Sequence, residues 1–146
     1  KVLGGYKYTE NFDLEAGYFQ SGTANLRFNG VSRTAVAYLG NASMKLSGFE
    51  YAANIRPSIA SGWNNLYLRV GGHNSKLETS VSVTANAVSA SSSKTYSGSG
   101  TLYGLGYDQK LNETTNIRYS AVKYSKIGGE SDTGGTFYSI GLVKNF

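Results

Sequence analysis

The chain has 146 residues and a formal net charge of +5, with 19 glycines, one proline, 12 tyrosines and no cysteine. That length suits a single domain over residues 1–146 with a sizeable core, and zero cysteine excludes a disulfide framework or a thiolate metal site. No run approaches the roughly 18 consecutive apolar residues of a transmembrane helix, and the 14 Lys and Arg residues are scattered singly, which argues against nucleic acid as a partner.

The mean hydropathy of -0.30 looks water-soluble. A membrane barrel, however, hides its apolar residues in alternation, so this average does not exclude one. No secretory leader opens the chain, so an exported protein is expected to be in its mature form here.

Taken in order, the chain reads as strand, short turn, strand, long loop, repeated. A first strand covers about Val2–Tyr8, with a tight turn at Thr9-Glu10-Asn11. Asp13–Gln20 follows, with Leu14, Ala16 and Tyr18 on one face and Glu15, Gly17 and Phe19 on the other. Ser21–Ala42 reads as a long polar loop. Ser47–Arg56 sets Phe49, Tyr51, Ala53 and Ile55 opposite Glu50, Ala52, Asn54 and Arg56. Pro57 cannot donate to a ladder and ends that strand, and Ser58–Trp63 turns the chain.

Leu66, Leu68 and Val70 alternate with Tyr67, Arg69 and Gly71. A Ser/Thr/Ala/Asn-rich loop is expected over Asn74–Gly98, its Ala87–Ser93 stretch flexible. Thr101–Gln109 alternates Tyr103, Leu105 and Tyr107 with Leu102, Gly104, Gly106 and Asp108. After a turn at Leu111–Thr115, Ile117, Tyr119 and Ala121 alternate with Arg118, Ser120 and Val122. A Gly/Ser/Asp loop over Gly128–Gly135 leads to a last strand, where Tyr138, Ile140 and Leu142 share a face that Phe146 closes. Helical periodicity is absent throughout. Short connections alternate strictly with long ones, the pattern of a barrel with short periplasmic turns and long external loops.

These residues resemble the eight-stranded transmembrane domain of the outer membrane protein A family and related small barrels. Gly4-Gly5-Tyr6-Lys7-Tyr8 and Leu14-Glu15-Ala16-Gly17-Tyr18 look like that family's second and third strands. Leu66–Gly72 looks like its fifth, Arg118–Gly128 its seventh, and the Phe146 tail its eighth. The resemblance implies an all-β, antiparallel up-and-down transmembrane barrel in a Gram-negative-type outer membrane. It also implies an assembly signal formed by Tyr138, Ile140, Leu142 and Phe146. Seven strands are legible, whereas single-chain bacterial barrels have even numbers. A first strand is therefore expected ahead of Lys1 or from a second chain, with folding-in of part of Ser21–Ala42 as the alternative.

The face assignment sends Glu15, Glu50 and Asp108 into the lumen with Arg56, Arg69 and Arg118. Such a network serves an ion path or, more simply, a paired polar plug, because eight strands leave only enough interior for side chains. The family's lumen charges form a switchable gate, but by position only Glu15 matches that set. Asn54 and Ser120 stand where the family has charges, so the gate does not transfer residue by residue. Tyr6, Tyr18, Tyr51, Tyr103, Tyr107, Tyr119, Tyr138 and Phe146 are expected to form interfacial girdles.

His73, the sole histidine, lies near Ser75, but spacing alone shows neither a positioned nucleophile nor an orienting acid. It reads as a loop-edge residue, and no catalytic, cofactor or metal site is assigned. Arg27, Arg33, Lys76 and Lys94, with Lys45 at a loop edge, are expected on solvated loops near lipopolysaccharide or a host surface. The expected role is structural and surface-interactive, with lipids, lipopolysaccharide, the barrel-assembly machinery and a surface ligand as partners. A narrow ion pore and a soluble ligand-binding barrel are the alternatives.

Overall fold

The computed structural model describes residues 1–31, 33, 36–57 and 65–145. Its strands are β1 (Val2–Thr9), β2 (Phe12–Gln20), β3 (Ala24–Val31), β4 (Ala37–Ile55), β5 (Leu66–Ala85), β6 (Val88–Lys110), β7 (Thr115–Ser125) and β8 (Gly134–Lys144). A single 3₁₀ turn, Ile127–Gly129, stands between β7 and β8. All strands join one antiparallel sheet, and its main path runs β1-β2-β4-β5-β6-β7-β8. The sheet curls on itself, so that the Lys1 ammonium reaches the Tyr124 hydroxyl of β7 at 3.3 Å. Among the described residues no ladder joins β1 to β8.

The wall thus has seven strands, while the sheet has eight. β3 is the addition: it pairs with the far half of β4, from Ala24↔Met44 to Val31↔Ala37, beyond the segment that β2 occupies. Part of Ser21–Ala42 is therefore a hairpin rather than a polar loop, and it extends the wall upward without closing it.

Asn74–Gly98 is likewise not a loop. The β5–β6 ladder runs unbroken from Leu66↔Tyr107 to Ala85↔Val88, and its connection is Asn86-Ala87 with φ of 47° and 63°. Positive φ at both central residues is the mark of a type I′ hairpin. Ala87–Ser93, expected to be flexible, is mostly the start of β6. A tilted strand crosses a bilayer in about 9–11 residues. β5 has 20 residues and β6 has 23, so roughly half of each projects beyond the apolar belt. There both faces meet water, alternation has nothing to report, and cross-strand backbone hydrogen bonds hold the ribbon. Arg27, Lys45, Lys76 and Lys94 consequently lie on strands, while Arg33 lies in a turn. The Gly128–Gly135 loop contains most of the 3₁₀ turn and the first residues of β8. Ser58–Trp63 and Phe146 lie outside the described residues.

The lower wall sorts its side chains by the pleat. Leu14, Phe49, Tyr51, Ile55, Leu68, Val70, Leu105, Ile140 and Leu142 are exposed on the outer face. Aromatic pairs stand toward both ends of this belt. Tyr8 and Phe12 lie edge to face near the first short turn, and Tyr18 and Phe49 lie 5.2 Å apart toward the projecting hairpins. On the inner face Phe19, Leu46, Ala52, Leu102, Val122, Tyr124 and Ile127 form the core.

Candidate functional site

The interior has two layers. Nearer the short turns lies a polar layer, built because successive inward positions on β2, β4, β5, β6 and β7 carry charge. Four carboxylates (Asp13, Glu15, Glu50 and Asp108) meet four cations (Lys1, Arg56, Arg69 and Arg118). Arg118 grips Asp108 with two prongs, Nε to Oδ1 at 2.7 Å and Nη2 to Oδ2 at 2.8 Å, and also donates to Glu15. Arg69 donates to Glu15, to Glu50 at 2.8 Å and to Asn54 at 2.9 Å. Arg56 joins Asp13 to Asp108, and the Asn54 amide donates to Asp13.

Followed around, these contacts close into a ring: Arg69, Glu15, Arg118, Asp108, Arg56, Asp13, Asn54 and back to Arg69. Glu50 is a branch that receives Lys1 at 2.6 Å and the Tyr124 hydroxyl. Tyr67 lies against the ring, with the guanidinium carbons of Arg118 and Arg56 4.8 Å and 5.6 Å from its ring centroid. Its cross-strand partner is Gly106, where a Cβ would stand 2.1 Å from the Tyr67 ring. Only glycine admits the aromatic at that position.

Above the ring lies the apolar layer, closed from the hairpin side by the β7–β8 connection. Ile127 is buried there, and Gly128 takes φ of 69° so that its N–H reaches Ser75 Oγ at 2.9 Å. His73 points into the same layer. It is 1% exposed, its ring lies 5.2 Å from that of Tyr124, and its Nε2 donates to the Ser125 carbonyl at 2.9 Å. That bond assigns the proton to Nε2. The expected loop-edge position is therefore corrected: His73 is an interior residue. It looked like a loop residue because the polar sequence after it hides the continuation of β5. His73 Nε2 is engaged with Ser125, the last residue of β7, and Ser75 Oγ with Gly128 of the segment that follows.

Glu15, Glu50, Asp108, Arg56, Arg69 and Arg118 all stand in this one interior network. Asp13, Asn54, Tyr67, Tyr124 and Lys1 also belong to it; the sequence places Asn54 and Tyr67 on the inward face but assigns none of the five to the charge network. Alternation carried the signal for the first four: Asp13 precedes Glu15 by two, Asn54 precedes Arg56 by two, Tyr67 precedes Arg69 by two, and Tyr124 follows Val122 by two. The likeness of Arg118–Gly128 to a seventh strand runs too far: β7 ends at Ser125, and Ile127 enters the interior from the 3₁₀ turn. Tyr6, Tyr18, Tyr51, Tyr103, Tyr107, Tyr119 and Tyr138 are exposed on the outer face.

No protein family profile matches the chain, and no curated protein matches it. Among solved structures, the chain is similar to CarO of Acinetobacter baumannii, an outer-membrane eight-stranded β-barrel. The TM-score is 0.51 at 18% identity, covering 97% of this chain and 73% of that one. The architecture is therefore that of a small antiparallel up-and-down β-barrel of the outer-membrane type. The likeness to the outer membrane protein A family narrows to this architecture.

Proposed function

We propose that the protein resides in a Gram-negative-type outer membrane, where it has a structural and surface-interaction role. The observation that carries this reading is an ion-paired interior between an apolar outer belt and long projecting hairpins. The interior pairs each of its four carboxylates with a cation, and the apolar layer caps it, so the wall serves as a strut rather than a conduit. The belt suits contact with lipid. Arg27, Lys45 and Lys76 on β3, β4 and β5 suit the phosphates of lipopolysaccharide, and the hairpins offer a surface ligand an extended ribbon. The outward row Tyr138, Ile140 and Leu142, continued in sequence by Phe146, suits the barrel-assembly machinery. No catalytic role is proposed, since the one Ser–His neighbourhood is spent on packing the β7–β8 connection.

The test is reconstitution into planar bilayers together with binding to lipopolysaccharide-containing vesicles. The expected result is no stepwise current, with vesicle binding that weakens in an Arg27→Ala/Lys45→Ala/Lys76→Ala variant. Reproducible current steps that change with Arg69→Ala or Arg118→Ala would instead establish a pore. Protein that stays in solution without detergent would point to a soluble ligand-binding barrel.

A further inference from the structure

A groove of about 600 Å³ crosses the outer face of β1, β2 and β4, within the roughly 300–1,000 Å³ of small-molecule sites. The register builds it. Gly4, Ala16, Tyr51 and Gly72 lie in one row across the strands. The Tyr51 ring leans over Gly72, where a Cβ would collide with the Tyr51 hydroxyl. Gly4 and Ala16 are left uncovered, and a Cβ at Gly4 would meet nothing within 4 Å. Ala53, one row nearer the short turns, continues the floor, and Tyr6 and Tyr51 form the walls. Among lipid tails the hydrophobic effect does not drive a chain into such a groove, because the tails are equally apolar. Contact does: a chain lying on glycine and alanine touches backbone and both rings, and gains dispersion that a bulky belt residue would block.

The same face turns basic above the groove. The Tyr18–Phe49 ring pair fills the next row toward the hairpins, and Lys76, opposite Ser47, stands in the row after. Lys45 lies one row further out, and Arg27, opposite Asn41, two rows beyond Lys45. Glu78 pairs with Lys76, which leaves the face positive.

Spacing decides which lipid fits. At about 3.3 Å per residue and a tilt near 45°, the groove lies roughly 9–14 Å below the level of Lys76, inside one leaflet's depth of about 15 Å. The three cations spread over roughly 14 Å along the membrane normal, whereas a headgroup layer is about 5–8 Å thick. A phospholipid keeps its phosphate within that layer. Cations at several heights fit a glycolipid with phosphates on more than one sugar. Resting on the outer-membrane reading above, we propose that this face is a binding site for one lipopolysaccharide molecule. An acyl chain lies in the groove over Gly4, Ala16 and Ala53, and the phosphates meet Lys76, Lys45 and Arg27.

The experiment is native mass spectrometry of the protein isolated from its own membrane and stripped of lipid in detergent. It is titrated with rough lipopolysaccharide and, separately, with phosphatidylglycerol. Gly4→Leu and Ala16→Phe fill the groove and leave every cation in place, while Leu105→Phe adds bulk to the belt outside it. A gel-mobility shift on boiling reports that each barrel has formed, and where one groove variant loses the shift the other carries the comparison. The expected result is one lipopolysaccharide held per chain, about tenfold more weakly in the groove variants and unchanged in Leu105→Phe. Phosphatidylglycerol is expected to bind more weakly than lipopolysaccharide to the parent. A parent that holds no lipopolysaccharide overturns the site, and groove variants that bind like the parent, or an equal loss in Leu105→Phe, overturn the groove. Phosphatidylglycerol held as tightly overturns the choice of lipid. Protein that stays dissolved without detergent overturns the outer-membrane reading itself and is told apart on that ground.

Discussion

Arg69 Nη1 donates to Asn54 Oδ1 at 2.9 Å, while the Asn54 amide donates to Asp13. A neutral side chain thus links two ion pairs and closes the ring without adding a fourth carboxylate to it. Arg69 is the hub, since it reaches Glu15, Glu50 and Asn54 together. Arg69→Ala is expected to destabilise the fold by about 3–5 kcal/mol, because it takes a guanidinium from two buried acids at once and leaves Glu15 to Arg118 and Glu50 to Lys1. The Arg69→Ala/Glu15→Gln double variant is expected to lose less than the sum of the single losses. Urea unfolding in detergent micelles, followed by circular dichroism, measures both. An unchanged midpoint for Arg69→Ala would show that these side chains do not meet in the lumen.

Tyr67 separates the value of a ring from that of a hydroxyl. Its ring sits against two guanidinium groups, but its hydroxyl is buried without a hydrogen-bond partner among the described residues. Removing an unsatisfied polar atom forfeits nothing. Tyr67→Phe is therefore expected to match or exceed the parent in unfolding midpoint, whereas Tyr67→Ala loses the ring and about 3–5 kcal/mol. A clear drop for Tyr67→Phe would reveal a bond to that hydroxyl.

What the sequence made legible follows from what alternation reports. Leu14, Phe49, Leu68, Tyr103 and Ile140 stand on an outer face opposite a polar lumen, so the pleat writes itself into residue type. That marked the lower wall and its inward charges. Above the belt, Ser80, Ser82, Ser91 and Ser92 face water whichever side they take, so the β5–β6 ribbon looked like loop. The turn that ends it lacked its usual glycine, since Ala87 stands at the second positive-φ position. Ile127 was illegible for another reason: a single apolar residue in a Gly/Ser/Asp segment enters the core only because Gly128 turns the chain inward. The ring's closure through Asn54 needed distances, which no periodicity supplies.

Gly128 offers a direct probe of that inward turn. Its φ is 69°, and a Cβ there would stand 3.0 Å from the Tyr96 Cβ. Gly128→Ala combines left-handed strain with crowding, so a loss of about 1–2 kcal/mol is expected from the backbone alone. Faster hydrogen exchange at the Gly128 amide, now held by Ser75 Oγ, should accompany it. Stability equal to the parent would place the connection outside the barrel mouth.

The hairpin tip responds in the opposite direction. Ala87 holds φ of 63° in a two-residue turn, a conformation that glycine adopts without the Cβ penalty of about 1–2 kcal/mol. Ala87→Gly is expected to slow exchange of the flanking amides, Ala85 and Val88, by roughly tenfold while leaving the global midpoint unchanged, because the projecting ribbon opens separately from the wall. No slowing would mean that the turn is not the weak point of the ribbon.

On that ribbon, outside the apolar belt, Lys76 Nζ lies 2.6 Å from Glu78 Oε1. The hydrogen bond from Lys76, and then its charge, hold the Glu78 carboxyl below its ordinary value of 4.5, with Lys45 across the ladder adding to the effect. A depressed carboxylate favours the folded ribbon above the unfolded value, and that contribution fades as pH falls through the folded value. Carboxyl NMR should therefore place the Glu78 midpoint below 4.5 in the parent and return it toward 4.5 in Lys76→Met. Both groups are well exposed, so salt should move the parent the same way: at about 1 M the screening length falls to roughly 3 Å. A midpoint insensitive to both salt and Lys76→Met would mean that the pair does not form in solution.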